Sequence, residues 1–331
     1  MTQIDMPVIS VLMSVYNGER YVAEAIQSIL GQTEGRFEFL IVNDGSRDAS
    51  GSILDRYAAQ DSRIRVIHQP NRGLIASLNL LLDEARAPLV ARMDGDDVSR
   101  PERFAVQLAE MAAHPHLAVL GTNTDELDAD GAYFPCSDLH PETPAEIRER
   151  LMVASAMCHP SVMMRRDVVR AVGGYRAAFR HCEDYDLWLR VSERHEMRNL
   201  PDRLFLYRRS PDQVSEKHIL VQAIGAACAR YAARERRAGR ADPFEGADSL
   251  PSLDTIDAFL GTRGVGARMR LEVIDSIKYS RDALAGGGLE LMQAHLREGG
   301  TKQGFWRTAG RMVKLGMIPQ ALTLSYGLVR Y

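Results

Sequence analysis

Only four cysteines occur in 331 residues, at Cys136, Cys158, Cys182 and Cys228, and no two form a Cys-x-x-Cys pair. That scarcity and spacing argue against a disulfide framework and fit the reduced thiols of a cytoplasmic protein. Positive charge is not in excess. The 41 Lys and Arg against 44 Asp and Glu leave a net charge of −3, so no basic field is aimed at nucleic acid. No apolar run approaches the roughly 20 residues of a membrane span. The stretch Met1 to Pro7 has neither a basic n-region nor an apolar h-region, so no secretory leader is expected. Internal repeats are also missing. What is present is a soluble composition, 45% hydrophobic and 26% charged. It is long enough for one large core or a core with an accessory domain.

The first hundred residues alternate strand-like and helix-like patterns. Val8 to Val15 is a nearly continuous apolar, β-branched run, as expected of a parallel strand buried on both faces. Tyr21 to Thr33 carries Val22, Ala25, Ile26, Ile29 and Leu30 at helical spacing. Phe37 to Val42 reads as a second strand, closed by Asn43-Asp44-Gly45-Ser46, and Asp48 is placed to cap the next helix. Ile64 to Ile67 is a third strand, Leu74 to Ala85 a third helix and Leu89 to Ala91 a fourth strand. Repeated βα units of this kind predict a mostly parallel sheet covered by helices. Pro101 falls where a first helical residue belongs, and Phe104, Leu108 and Met111 share one face of the helix after it. Val119 to Gly121 and Leu204 to Tyr207 read as further strands. From about Glu216 the chain becomes Ala- and Arg-rich helix, followed by a polar linker from Gly239 to Ser252 and more helix. The glycines of Gly261 to Gly266 follow no strand, which argues against a dinucleotide fingerprint.

The run Arg92-Met93-Asp94-Gly95-Asp96-Asp97 places three carboxylates on one tight turn. Alone it is equally an ordinary Asp-Gly bend. A divalent cation holding a diphosphate is the alternative occupant, because Mg²⁺ and Mn²⁺ take oxygen ligands from few carboxylates plus substrate phosphates. In sheets of this type ligands bind outside the carboxyl ends of the strands. Three such ends carry polar residues here: Ser14-Val15-Tyr16-Asn17, Asn43 to Ser46, and Asp94 to Asp97. Tyr16 offers a face for a base, Asp44 an acceptor for a pyrimidine imide, Asp94 an acceptor for a ribose hydroxyl and Asp96 a metal ligand. Together they point to a nucleotide site. A second acidic cluster, Glu183-Asp184-Tyr185-Asp186, opens a helix through Leu187, Leu189 and Arg190. Carboxylates there either simply complement the helix dipole or supply a general base.

These residues, with Ser28, Gln32-Thr33, Asp48 and Gly173-Gly174-Tyr175, resemble the family 2 glycosyltransferases over about residues 7–215. The resemblance implies an A-type glycosyltransferase fold, a Rossmann-like α/β sheet flanked by helices, and an inverting single displacement from a nucleotide-sugar donor. It places a catalytic domain at 1–215, with a donor half near 1–97 and an acceptor half near 98–215, and a helical region at 216–331. Carried over by position, Ser14, Tyr16, Asn17 and Asp44 hold the nucleoside. Asp94 and Asp96 serve the ribose and a divalent metal, Mn²⁺ or Mg²⁺. Asp184 is the base with Glu183 beside it. UDP is the default nucleoside diphosphate, and a glycan or lipid-linked molecule of cell-surface polysaccharide or glycolipid synthesis is the acceptor. A nucleotidyltransferase and a non-catalytic nucleotide-sugar-binding module are the alternatives. The first would more typically carry a Gly-rich basic loop near the N-terminus, and the intact Asp94, Asp96 and Asp184 argue against the second.

One departure stands out. Members of the family often carry a histidine shortly after a Tyr-Arg pair, whereas here Ser210 follows Tyr207-Arg208-Arg209. Arg208, Arg209 or His218 would then have to serve the diphosphate. The pairs Cys158-His159 and His181-Cys182 lack structural-zinc spacing, and His159 either lines the acceptor side or packs structurally. From Thr301 to Tyr331 there are five basic residues, Lys302, Arg307, Arg311, Lys314 and Arg330, and no acidic one. Arg307, Arg311 and Lys314 share a helical face, with Phe305, Trp306, Ala309, Met312 and Val313 supplying apolar surface. Either this tail lies on an anionic membrane, at the inner face of the cell membrane, or it packs on the catalytic domain with its charges in water.

Overall fold

The computed structural model describes residues 6–209 and 218–331. The chain divides into two compact units, Met1–Ala177 with Glu183–Ser210, and Ala178–Cys182 with Pro211–Tyr331. The first unit holds the sheet. Its N-terminal half runs β1 (Ile9–Val15), α1 (Val22–Leu30), β2 (Phe37–Asp44), α2 (Ser50–Gln60), β3 (Ile64–Gln69), α3 (Leu74–Glu84) and β4 (Leu89–Asp94). Then follow β5 (Val98–Ser99), α4 (Arg103–Ala113), β6 (Leu117–Leu127), β7 (Tyr133–Phe134), α5 (Pro144–Arg150), β8 (Met163–Arg165), α6 (Arg166–Ala171), α7 (Glu183–Ser192) and β9 (Glu196–Arg208).

The strand order is β3-β2-β1-β4-β8-β6-β9-β5, with β7 on β6. The first four strands are parallel; the apolar runs of β1, β2 and β4 are buried on both faces, as in a sheet covered by helices, while the edge strand β3 buries only Ile64 fully. Ile9, Val11, Met13, Phe39, Ile41, Ala91 and Met93 form one core with Val22, Ile26 and Ile29 of α1. The second half departs from the mostly parallel expectation. There β8 lies antiparallel between β4 and β6, and β5 is antiparallel to β9, although β6 and β9 pair in parallel. Strands of two or three residues are too short to show a period, which is why the sequence pattern does not reveal β5, β7 and β8. It also sees only the apolar parts of β6 and β9. Thr122, Asn123 and Asp125 of β6 and Asn199 of β9 are buried polar residues inside those strands. Two of them reach partners distant in sequence: Asn123 Nδ2 donates to Pro201 O at 3.1 Å and Asn199 Nδ2 to Ala156 O at 2.9 Å.

Two local expectations shift. Pro101 lies in the turn before α4 rather than at its first position, because Gln32 Oε1 accepts from Phe104 N at 3.0 Å and fixes where the helix begins. Asp48 sits just ahead of the N-cap Ala49 of α2, and its carboxylate accepts from Ser50 N at 3.0 Å and Glu19 N at 3.0 Å. Phe104 and Met111 of α4 face the core, with Leu108 packed at its edge.

The second unit is helical: α8 (Ile219–Arg237), α9 (Ile256–Leu260), α10 (Val265–Ile277), a turn through Arg281–Ala283, α11 (Leu289–Arg297), α12 (Phe305–Lys314) and α13 (Ile318–Arg330). The polar stretch after Gly239 is not simply solvated, since Phe244 is buried against the rings of Phe179 and Phe259. The glycines of 261–266 make an interhelical turn. Gly261 and Gly264 are left-handed, and the Asp257 carboxylate accepts from Gly264 N at 2.5 Å and Gly266 N at 2.7 Å. Among the described residues no helix is long and apolar enough to cross a membrane.

Candidate active site

Strand order decides where a site can form. From β1 the chain steps to β2 and β3 on one side, then crosses back to β4 on the other, so the order reverses beside β1. A crevice opens outside the carboxyl ends at such a point. Ser14 stands level with Val42 of β2 and with Asp94 of β4, so the polar strand ends do converge. Tyr16 is 52% exposed just beyond β1, free to offer a ring face. Asn17 ties the β1 and β2 loops together. Its N–H donates to Ser46 Oγ at 3.0 Å, and its Oδ1 accepts from Arg47 N at 2.8 Å. Asp44 is buried and already accepts from Gln69 Nε2 at 2.7 Å, Arg72 N at 2.8 Å and Gly73 N at 2.9 Å. A carboxylate has about four lone-pair positions, so one is left for a ligand donor. Gly45 is obligatory here: its φ is +75°, and a Cβ would stand 2.6 Å from Asn71 N.

The acidic turn is built by two arginines. Arg92, fully buried in β4, donates from Nη2 to Asp94 Oδ1 at 2.5 Å and from Nη1 to Met93 O. Arg208, at the end of β9, donates from its backbone N–H to Asp97 Oδ1 at 2.7 Å and from Nε to Asp96 O at 2.6 Å. Burial and the Asp94 charge push the pKa of Asp96 up to about 6. Burial, with Asp96 and Asp94 next, holds Asp97 well above the ordinary carboxylate range. The turn therefore resists carrying three negative charges without a cation. Asp94 and Asp96 are partly exposed, and Asp97 is buried.

Helix α7 supplies the second carboxylate pair at its N-terminus. Asp184 is half-buried and Glu183 buried. Burial raises both, Glu183 to about 7, with Asp184 as the next cause, and Asp184 to about 6. Arg92 and Asp94 act electrostatically on each of them, so the acidic turn and the α7 pair share one field. Two carboxyls with separated pKa values suit separate roles at neutral pH.

With this geometry in view, the relatives decide the family. Residues 10–173 match the family described as Glycosyl transferase family 2. EpsE of Bacillus subtilis is 38% identical over 214 residues, 62% of this chain and 74% of its own length. The O-antigen biosynthesis glycosyltransferase WbnJ of Escherichia coli is 32% identical over 234 residues, 70% of this chain and 89% of its own. The chain belongs to glycosyltransferase family 2. Solved structures share the fold of this glycosyltransferase. S. aureus TarS 1-349 in complex with UDP-GlcNAc aligns at a TM-score of 0.57 and 16% identity, over 98% of this chain and 92% of its own. The mannosyltransferase PcManGT of Pyrobaculum calidifontis, in complex with GDP-Man and Mn²⁺, aligns at 0.53 and 15%, over 98% and 87%.

Several motif residues of this glycosyltransferase turn out to be scaffold. Ser28 Oγ accepts from Ser99 N at 3.1 Å and Gln32 Nε2 donates to Arg100 O at 2.8 Å, clamping α1 to the segment that leaves the acidic turn. Gly174, with φ +61°, lets Asn79 Oδ1 accept from Tyr175 N at 3.0 Å, and a Cβ there would lie 2.7 Å from that oxygen. Arg208 corrects an expectation. It is 1% exposed, its Nη1 donates to Asp128 O at 3.1 Å and its Nη2 to Glu24 at 2.6 Å, and it stacks over Tyr21. A guanidinium so committed shapes the turn rather than meeting substrate phosphate. Arg209 instead pairs with Glu126 at 2.7 Å, and His218 stacks on His181 with ring centroids 4.0 Å apart. Ser210, in the histidine's place, lies outside the described residues.

His159 packs structurally: its Nε2 is 2.9 Å from Tyr175 Oη and its ring meets Trp188, while burial depresses its pKa. Among the described residues no group of three His, Cys, Asp or Glu is placed to hold a metal by itself.

Asp186, third carboxylate of the α7 cluster, is structural. It is fully buried and ion-paired to Arg176 and Arg190, and Arg190 also donates to Gly174 O at 2.7 Å. Asp186→Ala is expected to cost about 3–5 kcal/mol in denaturant unfolding, because the buried Arg190 and the partly buried Arg176 each lose an ion-pair partner. A loss below about 1 kcal/mol would refute that role. Arg92 is the residue that sequence reasoning missed as a site component. Its signal was available, since a lone arginine inside the apolar run Leu89–Met93 is an anomaly for a buried strand.

Proposed function

We propose that this glycosyltransferase is an inverting enzyme that moves a sugar from a nucleoside-diphosphate sugar, a UDP-sugar by preference, to a hydroxyl of a glycan or lipid-linked acceptor in cell-surface polysaccharide or glycolipid assembly. The observation that carries the proposal is the shared field of Arg92, Asp94, Glu183 and Asp184 at the strand-order reversal. That Arg92 and Asp94 act on both α7 carboxyls supports placing donor-side groups and a candidate base at one site. WbnJ, named for O-antigen biosynthesis, supports the polysaccharide setting. The TarS complex with UDP-GlcNAc supports a UDP-sugar, and the PcManGT complex with GDP-Man and Mn²⁺ supports a divalent metal.

In this reading Tyr16 stacks on the base, Ser14 and Asp44 hydrogen-bond the nucleoside, and Asn17 holds the two loops that frame it. Asp94 serves the ribose and, with Asp96, a Mn²⁺ or Mg²⁺ ion. The residues fit such an ion: the donors are hard oxygens, they are few, and burial together with the Asp94 charge already raises the pKa of Asp96. Once bound, the metal spreads the negative charge that develops on the departing nucleoside diphosphate. Asp184 takes the proton from the acceptor hydroxyl. The freed oxygen bonds to the anomeric carbon as the carbon–diphosphate bond breaks on the opposite face, so configuration inverts. Glu183, with the higher pKa, keeps a proton more readily and limits repulsion beside the ionised Asp184. Arg92 fixes the orientation of Asp94. The enzyme acts on the cytoplasmic side, with peripheral membrane contact through residues 301–331 where the acceptor is lipid-linked.

A thermal-shift screen of UDP-, GDP- and dTDP-sugars with Mn²⁺ tests the proposal. One donor class is expected to raise the Tm by a few degrees at about 100 times its Kd, corresponding to about 2.7 kcal/mol of linkage. Stabilisation by nucleoside triphosphates but by no nucleotide sugar would overturn it.

A further inference from the structure

Helices α12 and α13 form the end of the helical unit. Phe305, Ala309 and Met312 of α12 share a buried core with Ala321, Leu324 and Leu328 of α13 and with Ile274 and Met292. Of the two readings of this tail, packing accounts for Phe305, Ala309 and Met312, which the helical unit's own core consumes. The opposite faces carry the information. On α13, Ile318, Leu322, Tyr326 and Val329 are 55%, 66%, 64% and 76% exposed. Their spacing of four, four and three residues makes one continuous apolar strip. On α12, Trp306 and Val313 are also more than half exposed.

The cations are on α12, the helix that packs against α13. Arg307, Arg311 and Lys314, with Tyr279 and Gly310, line an open groove of about 730 Å³. Residues 301–331 contain no Asp or Glu, so neither helix supplies a carboxylate to neutralise them. Arg330 at the end of α13 adds a further cation between Tyr326 and Tyr331. An exposed apolar strip of this extent marks an interaction surface, and the charge identifies its occupant. Apolar and aromatic side chains next to unneutralised Arg and Lys match a helix seated in the headgroup region of an anionic bilayer.

We propose that α12 and α13 dock this protein on an anionic phospholipid surface, with a lipid phosphate in the groove of Arg307, Arg311 and Lys314 and the Ile318–Val329 strip at the acyl boundary. The purpose assigned to this contact rests on the proposed use of a membrane-presented acceptor, but its test does not involve catalysis. Full-length protein is co-sedimented with vesicles of phosphatidylcholine alone or mixed with phosphatidylglycerol. At least about tenfold stronger binding to the anionic vesicles is expected, weakening as salt rises. The triple variant Arg307→Gln, Arg311→Gln, Lys314→Gln should lose that preference, and Leu322→Ser with Val329→Ser should bind both vesicle types less. All five positions are at the surface or line the groove, and retention of the parent Tm shows that each variant is folded. Asp184→Asn should sediment like the parent, which separates failure of docking from failure of the catalytic reading. Equal partition between the two vesicle types, or undiminished binding by both surface variants, would overturn the proposal. So would a dimer in light scattering that Leu322→Ser with Val329→Ser dissolves, since the strip would then belong to a second copy of the chain.

Discussion

Asp184→Asn is expected to lower sugar transfer by about 10²- to 10⁴-fold, the usual contribution of a positioned general base, while leaving donor affinity unchanged. The amide keeps the size and the hydrogen bond that Asp184 Oδ1 accepts from Tyr185 N at 2.7 Å. It cannot take a proton at neutral pH. Of the α7 pair, Asp184 is the more exposed and the more acidic, so it is both reachable and ionised when Glu183 still holds protons. The parent should therefore lose activity as pH falls through about 6, where Asp184 becomes protonated. The sign follows from the role: a base works only while deprotonated, so the acidic limb falls toward low pH. Initial rates from pH 5 to 8, with donor titration of the variant in parallel, check both parts. Donor binding lost along with transfer would remove Asp184 from the base role and place it in the donor site.

The second large effect concerns Asp96→Ala. Donor affinity in the presence of Mn²⁺ is expected to fall by about 100-fold, which corresponds to about 2.7 kcal/mol, and to become insensitive to a chelator. The parent should lose a similar affinity when EDTA is added. The reason is the local charge pattern. Asp94 has one oxygen bound by Arg92, and Asp97 is buried with its Oδ1 accepting from Arg208 N. Asp96 is left as the partly exposed carboxylate of the turn to which, among the described residues, no side chain donates. Calorimetric titration with and without Mn²⁺ reads the difference. Equal donor affinity for parent and variant in Mn²⁺ would show that the metal is held elsewhere, or that the diphosphate needs none.

Much of this site was legible because its parts are local. The strand ends Ser14–Asn17, Asn43–Ser46 and Asp94–Asp97 each follow an apolar run, and a parallel sheet must place such ends on one edge. The Glu183-Asp184 pair opens an amphipathic helix, where carboxylates are favoured. Arg208 was misread for the opposite reason. In sequence it is a cation next to the position where relatives often carry a histidine, but its partners Glu24, Asp96 and Asp128 are 184, 112 and 80 residues away. Nothing local reports that its donors are already taken. Asp186 shows the same limit, since only the contacts to Arg176 and Arg190 separate a structural carboxylate from Glu183 and Asp184, the pair proposed for chemistry just before it.

The tail follows the same division. Its basic excess and helical period could be read directly, but which apolar residues face out could not. Phe305 and Trp306 are neighbours of similar character, and packing against α11 and α13 buries the first and leaves the second exposed. By itself, the sequence determined the alternating βα order, the family and the acidic turn, because backbone period and strand-end chemistry are short-range properties. Only the tertiary structure decided the antiparallel insertion of β8, the commitment of Arg208, the shared field of Arg92 with the α7 carboxylates, and the outward strip on α13. Each of these depends on which distant residues meet, and long-range packing sets those meetings rather than local preference.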